Sequence, residues 1–230
     1  MRARGAFTIV ELLVVIAIIS VLAAFLLPTL EAAADQSRGI VCCNNLRQIH
    51  LGIASYAADN RDYLIKMSGP TPWPYVAAYY TWHRALGTMG YLPPVHWQTG
   101  DPLLNASTDV HDCPSTDYVK LGTDYGINWN ITQSPNLYYG DDWQRRISEI
   151  PRPSETYLVA DRKKEAGYGI YLRGGQTDTG VEYRHANNTS FNVAFVAGNV
   201  AAQRLNEEIG RPWIAYYLTG SRRVVPWYLP

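Results

Sequence analysis

The segment "FTIVELLVVIAIISVLAAFLL", from Phe7 to Leu27, decides the fold, because it can cross a membrane as one helix. At about 1.5 Å of rise per residue, such a run spans roughly 30 Å, the thickness of a bilayer's hydrocarbon core. Arg2 and Arg4 precede it, and the positive-inside rule then keeps the N-terminus in the cytoplasm. The segment predicts a single membrane crossing followed by a domain outside the cytoplasm.

One carboxylate, Glu11, lies well inside this apolar run. A charge at the centre of a membrane helix costs about 2.5–3.5 kcal/mol on insertion scales. An ordinary signal anchor fits the length of the run, and "EAAA" at residues 31–34 fits a cleaved secretory signal. Neither alternative explains Glu11.

The residues around Glu11 match a known pattern, since "GAFTIVELLVVIAII" closely resembles the leader of type IV prepilins and pseudopilins. The resemblance implies that prepilin peptidase removes a short basic peptide and that the new amine of Phe7 is N-methylated. A cut after Ala6 puts Glu11 at the family's fifth mature position. A cut after Gly5 keeps the family's usual Gly but moves Glu11 to the sixth, so we favour the first and leave the second open.

The resemblance also implies a role for Glu11 in assembly. In a filament of packed apolar helices, the Glu11 carboxylate of one subunit can pair with the Phe7 α-amine of its neighbour. A buried charge is tolerable when paired and costly alone. The implied partners are other pilin-like subunits, in a homo- or hetero-filament, and an inner-membrane assembly platform.

Beyond Pro28 the sequence predicts that the helix continues and becomes amphipathic. Apolar residues recur at spacings of four and three, as on one helix face. Polar residues such as Asn45 lie off this stripe, and turn residues near Asp59–Asn60 predict the end of the helix. The stripe consists of Cys42, Leu46, Ile49, Ile53 and Tyr56.

The remainder is loop-rich, with a short helix predicted over Tyr75–Leu86 and strands that follow it. The clearest strands are 124–131, 156–161 and the pair 191–196 and 200–205. Gly198 lies in the turn between the last two, where a positive φ is needed. We therefore predict an α+β, pilin-like fold: a long N-terminal helix, half transmembrane and half amphipathic, packed on an antiparallel β-sheet.

The predicted organisation has four parts. Residues 1–6 are the leader peptide, 7–28 the transmembrane or filament-core helix, 29–62 its amphipathic continuation and 63–230 an extracytoplasmic α+β domain. The expected location is the bacterial inner membrane, as a single-pass protein with its C-terminal domain in the periplasm, or in a filament.

The C-terminal region resembles the H-x9-DG region of a bacterial pseudopilin-like family. His185 matches the His, but the interval is longer and Ala197 stands where the Asp would be, before Gly198. We interpret His185 as structural.

Three cysteines, Cys42, Cys43 and Cys113, leave an odd count. A disulfide is permitted outside the cytoplasm. The family resemblance implies the pair Cys42–Cys113; Cys43–Cys113, free thiols and intermolecular pairing remain alternatives.

Other function classes have little support in the sequence. Lys+Arg and Asp+Glu both number 20, so no nucleic-acid partner is expected. No nucleotide-binding, hydrolase or zinc-protease motif is present, and we predict no enzyme and no catalytic, cofactor-binding or metal-ligating residue. The "HDC" of His111–Cys113 is interpreted as surface loop, and the acidic stretch 101–142 leaves a calcium site open.

The predicted function is that of a structural subunit, processed by prepilin peptidase and built into a type II secretion or type IV pilus-like filament. The alternative is an exported soluble or membrane-tethered ligand-binding domain. It would bind carbohydrate through the aromatic residues of "WPYVAAYYTWHR", residues 73–84. A membrane-tethered enzyme is a third, weaker hypothesis.

Overall fold

A long helix, α1, runs from Ile9 to Asp59 in the computed structural model and continues through Pro28. The expected continuation beyond Pro28 is therefore confirmed. A proline can be tolerated inside a helix when neighbouring groups compensate for its missing N–H. The structure describes residues 8–66, 68–69, 80–93, 110–116, 123–128, 131–132, 145–163, 169–170, 180–204, 217–219 and 223–225.

The chain divides into two compact units, residues 1–37 and 38–230. Within the first unit, the large apolar side chains from Ile9 to Leu30 are at least 46% exposed. Of the described helices, α1 alone is long and apolar enough to cross a membrane. The boundaries predicted at residues 6, 28 and 62 stay predictions.

The second unit contains a five-stranded sheet in the order β5-β3-β4-β6-β7. The neighbours among β3, β4, β6 and β7 pair antiparallel, whereas the edge strand β5 pairs parallel with β3. The α+β, pilin-like fold class is therefore confirmed, with one parallel edge that the sequence did not predict. The strands are β3 (Tyr125–Asn128), β4 (Tyr157–Asp161), β5 (Gly169–Ile170), β6 (Ser190–Phe195) and β7 (Val200–Arg204).

Shorter elements complete the described part of the unit. Helix α2 begins at Trp82, later than predicted, and residues 75–79 of the predicted helix lie outside the described residues. The elements are β1 (Ser68–Gly69), β2 (Tyr80–Thr81), α2 (Trp82–Thr88), a 3-10 helix (Ile147–Glu149), β8 (Tyr217–Thr219) and β9 (Arg223–Val225).

The second half of α1 packs its predicted stripe into the main core. All five stripe residues are buried, with Trp82, Tyr125 and Ile127 in the same cluster. Asn45, which lies off the stripe, is buried as well: it is 8% exposed, and its amide donates to the Asp112 carbonyl at 2.7 Å. A short polar side chain is buried at little cost when it is hydrogen-bonded, and periodicity cannot reveal such a partner.

A second hydrophobic cluster involves β4 and β6. Tyr157 contacts Phe191 and Phe195 edge-on, with ring centroids 6.1 and 5.2 Å apart. Edge-to-face packing suits the charge distribution of aromatic rings. Strands β4 and β6 therefore contribute side chains to both hydrophobic clusters, which explains why every position of these two strands is buried.

The predicted hairpin is present, and its turn touches α1. Gly198 has φ +94°, and the N–H of Gly198 donates to the Phe195 carbonyl at 2.9 Å. A Cβ at Gly198 would lie 2.9 Å from Cε1 of His50, whose Nε2 is 3.0 Å from the Val196 carbonyl oxygen. A glycine is required here by both conformation and space.

Candidate functional sites

Cys42 of α1 and Cys113 of the segment 110–116 are joined by a disulfide, with Cα atoms 5.2 Å apart. These are the two cysteines that the family resemblance pairs. Cys43, on the next position of α1, is a free thiol of intermediate burial, and burial raises its pKa. The bridge closes a loop across 71 positions, so it removes much freedom from the unfolded chain.

The segment that carries Cys113 is held by buried polar side chains from other parts of the domain. Asp124 accepts a hydrogen bond from the Cys113 N–H at 2.7 Å, and Arg184 lies 3.8 Å from the same carboxylate. Arg184 also donates to the Thr116 hydroxyl. His111 and Cys113 are at most 1% exposed, so the interpretation of "HDC" as surface loop is wrong.

His185 lies beside the disulfide. Its Nε2 is 3.6 Å from Cys113 Sγ and 3.2 Å from Asp161 Oδ2, and its Nδ1 is 3.3 Å from Ser115 Oγ. Asp161 is fully buried and also accepts the Asn192 N–H at 2.7 Å. The structure therefore collects a sulfur, an imidazole and a carboxylate that are scattered in the sequence.

The turn after His185 has an unusual backbone. Ala186, Asn187 and Asn188 have φ of 48°, 57° and 60°. Asn tolerates the left-handed backbone region because its short polar side chain can form local hydrogen bonds, whereas Ala has no polar group that could do so. The ends of this turn close by paired hydrogen bonds between His185 and Ser190, at 3.0 and 3.1 Å. The turn sets where His185 stands relative to β6.

Two buried histidines, His83 of α2 and His111, lie close to each other. His83 and His111 have ring centroids 6.0 Å apart. Burial, reinforced by electrostatic interactions with His111 and with the positively charged Arg162, holds the pKa of His83 well below its usual value. A neutral imidazole at this position suits a packing role in the core better than a charged one.

At the other end of the chain, Thr8 and Glu11 form a reciprocal hydrogen-bond pair at the start of α1. The Thr8 N–H and hydroxyl both lie 2.8 Å from Glu11 Oε2, and the Glu11 N–H donates to Thr8 Oγ1 at 3.2 Å. This is a capping box, which satisfies backbone N–H groups that have no partner within the helix. Phe7 and Ala6, the predicted cleavage positions, lie outside the described residues.

A family model described as the prokaryotic N-terminal methylation motif matches residues 1–27. The chain carries a prepilin-type N-terminus. The methylation motif includes Ala6, Phe7 and Glu11, and it implies processing by prepilin peptidase and assembly with other pilin-like subunits. Together with the apolar helix, the motif suggests a membrane-anchored, single-pass protein.

The methylation motif supports a protein of the type IV pilin or pseudopilin type. No curated protein and no solved structure matches the chain. The motif covers the N-terminal segment alone, and the H-x9-DG resemblance at the C-terminus stays a prediction.

Sequence reasoning missed two features of these sites. The capping box could have been predicted from the sequence, because T-x-x-E at residues 8–11 directly precedes an apolar helical run. The proximity of His185 to Cys113 and to Asp161 was not, since no local spacing reports which strand end meets which turn. Strand β4 ends at Asp161 beside the turn that precedes β6, and only the pairing of these strands brings the two side chains together.

Proposed function

We propose that this chain is a non-enzymatic structural subunit, cut by prepilin peptidase after Ala6, methylated on Phe7 and built into a type II secretion or type IV pilus-like filament. The cytoplasmic N-terminus, the periplasmic domain and the inner-membrane assembly platform are parts of this proposal. The observation that carries it is the methylation motif at residues 1–27, with Glu11 inside it at the start of α1.

The geometry of Glu11 supports a pairing role. Both hydrogen bonds that its carboxylate accepts from Thr8 end on Oε2, so Oε1 is the oxygen offered to another subunit. The carboxylate sits at the N-terminal end of α1, where its negative charge is favourable with respect to the helix dipole. A charge held there pairs readily with the α-amine of a neighbouring subunit, because the local contacts already orient it.

The exposed apolar surface of the first unit supports assembly as well. Side chains such as Val14, Ile18 and Phe25 are more than half exposed along successive turns of α1. An apolar surface of this length needs lipid or other apolar helices around it. When the subunit leaves the membrane for the filament, the packed helices of the filament core surround this apolar surface in place of lipid.

The test is the mass of the mature N-terminus, measured on protein isolated from a cell that has a prepilin peptidase. We expect a chain that begins with N-methyl-Phe7, and the uncut precursor when the peptidase is absent. A chain that begins at Asp35, after the "EAAA" of the secretory-signal alternative, would contradict the proposal. A mature chain that begins at Ala6 would still agree with cleavage by prepilin peptidase, but it would place Glu11 at the sixth mature position.

The carbohydrate-binding alternative loses part of its basis. Trp82 is fully buried and His83 has no exposed surface, so these two residues do not face a ligand from solvent. Residues 73–79 of the same aromatic stretch lie outside the described residues. No described residue gives this alternative a specific observation, and the filament proposal is the one we retain.

A further inference from the structure

Three side chains that have no part in the proposed filament role form a hydrogen-bonded row in the second unit. Ser115 Oγ lies 3.3 Å from Nδ1 of His185, and the other ring nitrogen, Nε2, lies 3.2 Å from Asp161 Oδ2. A hydroxyl, an imidazole and a carboxylate in this order are the groups that activate a serine as a nucleophile. The three residues lie far apart in the sequence, so only the folded chain brings them together.

The carboxylate decides which ring nitrogen carries the proton. An ionised carboxylate only accepts hydrogen bonds, so Asp161 favours the neutral imidazole that has its hydrogen on Nε2. The lone pair of Nδ1 then faces Ser115 and can accept the hydroxyl proton. The ring is turned end for end relative to the usual serine triad, in which Nε2 faces the hydroxyl, but each group keeps the same role.

Both partners of the imidazole are fixed by further contacts. Asp161 is fully buried, and its Oδ2 accepts the Asn192 N–H at 2.7 Å. The segment that carries Ser115 is tied to α1 by the disulfide at Cys113, whose N–H donates to Asp124 at 2.7 Å. Groups that are held in this way need little reorganisation when a proton moves between them.

Ser115 is the member of the row that solvent can reach. It is half-buried and follows the exposed Pro114, whereas His185 is 5% exposed. A small electrophile can therefore approach the hydroxyl, while the base behind it is shielded from water.

One part of a serine hydrolase site is committed elsewhere. In many of these enzymes, the N–H of the residue after the nucleophile stabilises the oxyanion. Here the Thr116 N–H donates to the Cys113 carbonyl at 3.0 Å. The arrangement therefore suits one attack on an activated acyl donor, which leaves a lasting ester, better than repeated hydrolysis.

We propose that Ser115 is an acylation site, which takes a short acyl group from an activated donor of the thioester or acyl-phosphate class. The Ser115 oxygen attacks the donor's carbonyl carbon, and His185 Nδ1 takes the hydroxyl proton. The Oγ–C bond forms as the bond between that carbon and the leaving group breaks. The proton passes to the leaving group, which restores the neutral imidazole. Asp161 does not touch the donor and is a positioning residue.

The first experiment uses the wild-type full chain in detergent, with the disulfide intact and p-nitrophenyl acetate as the acyl donor. Peptide mapping by mass spectrometry follows the acetylation of each serine over time. Ser148 and Ser154 are internal controls, because both are exposed and neither hydrogen-bonds a histidine in the part of the chain that the structure describes.

We expect Ser115 to be acetylated at least about 100-fold faster than the control serines, because general-base catalysis typically contributes that much. The reaction should stop at about one equivalent, as for an acyl intermediate that is not hydrolysed. Hydroxylamine should remove the acetyl group, since it cleaves esters and leaves the amides formed at lysines. Acetylation of Ser115 no faster than that of Ser148 would overturn the proposal, and this comparison needs no variant.

Matched variants test the base and its positioning residue. His185→Gln should slow the acetylation of Ser115 by about 100-fold or more, and Asp161→Asn should slow it because an amide that donates to Nε2 moves the ring proton to Nδ1. The wild-type reaction should be slower in deuterium oxide, and both variants should lose this isotope effect, which a merely structural role would not change. Ser154→Ala should react as the wild type does.

Circular dichroism and an intact disulfide show whether each variant is folded. A wild-type rate and isotope effect in folded His185→Gln would contradict the role of the imidazole as a base. These measurements are made on the detergent-solubilised chain and do not depend on filament assembly.

Discussion

Glu11 caps α1 in the structure, and the proposed filament would give the same side chain a second role. Locally, it completes the capping box with Thr8 and stabilises the first turn of α1. In the proposed filament, its charge pairs with an amine of a neighbouring subunit. The capping role needs an acceptor oxygen, whereas the pairing role needs a negative charge, so substitutions can separate them.

We predict that Glu11→Gln keeps the cap and loses assembly. Gln also serves in capping boxes, so helix formation and membrane insertion should be unchanged, whereas incorporation into filaments should fall as far as in Glu11→Leu. The measurement is the fraction of each variant in sheared filaments relative to the membrane fraction. Thr8→Val is the reciprocal control, since it removes the cap, at a cost of about 0.5–2 kcal/mol, and keeps the charge. Normal assembly of Glu11→Gln would refute the charge-pairing role.

At the scale of elements, close packing of α1 against the loop after α2 depends on Gly52. A Cβ on Gly52 would lie 2.7 Å from Leu92 Cδ2 and 2.9 Å from the Tyr91 carbonyl oxygen. Tyr91 is itself fixed, because its hydroxyl donates to Asp59 at 2.9 Å and its ring packs edge-on against Tyr56. The helix therefore uses a residue of poor helix propensity to let the backbone of the loop approach.

We expect Gly52→Ala to destabilise the domain by about 1–3 kcal/mol, because overpacking against backbone exceeds the gain in helix propensity. Gly39→Ala is the matched control on the same helix. Among the residues that the structure describes, its Cβ would meet only His185 Nδ1, at 3.7 Å, so this change should stabilise by about 0.5–1 kcal/mol. Denaturant unfolding of the two variants measures both values, and equal shifts of the same sign would contradict the packing argument.

At the scale of the whole molecule, the second unit is stabilised by a core that includes buried ionisable groups. The pKa of His83 is lowered in the folded state, mainly by burial and further by electrostatic interactions with His111 and with the positive charges of Arg162 and Arg84. The unfolded chain therefore takes up a proton near the ordinary value of about 6.5, at which the folded chain does not. Stability from this group is complete above that pH and falls as the pH is lowered.

We predict that the free energy of unfolding decreases below about pH 6.5, with a contribution from His83 of at most about 1.4 kcal/mol per pH unit. His83→Gln should flatten this dependence, since Gln can keep the contact with Thr81 that His83 makes at 3.2 Å and does not titrate. Urea unfolding at a series of pH values measures the slope. An identical slope in the variant would show that His83 does not govern the acid response.

Much of the architecture could be predicted because it depends on local order in the sequence. The 3.6-residue repeat from Cys42 to Tyr56 follows from burying one face of a helix, and the Gly198 turn follows from the conformational freedom of glycine. The helix bearing Glu11 was predicted in the same way. These features need only neighbours along the chain.

The amino-acid sequence is sufficient to predict the apolar N-terminal helix, its prepilin-type motif, the buried stripe of α1 and the hairpin of β6 and β7. Three features follow only from the tertiary structure: the burial of Asn45, the parallel pairing of β5 with β3, and the position of His185 between the disulfide and Asp161. The physical reason is the range of the interactions. Helix periodicity and turn conformation act over a few residues, whereas contacts between distant segments exist only after the sheet has formed and the core has excluded water.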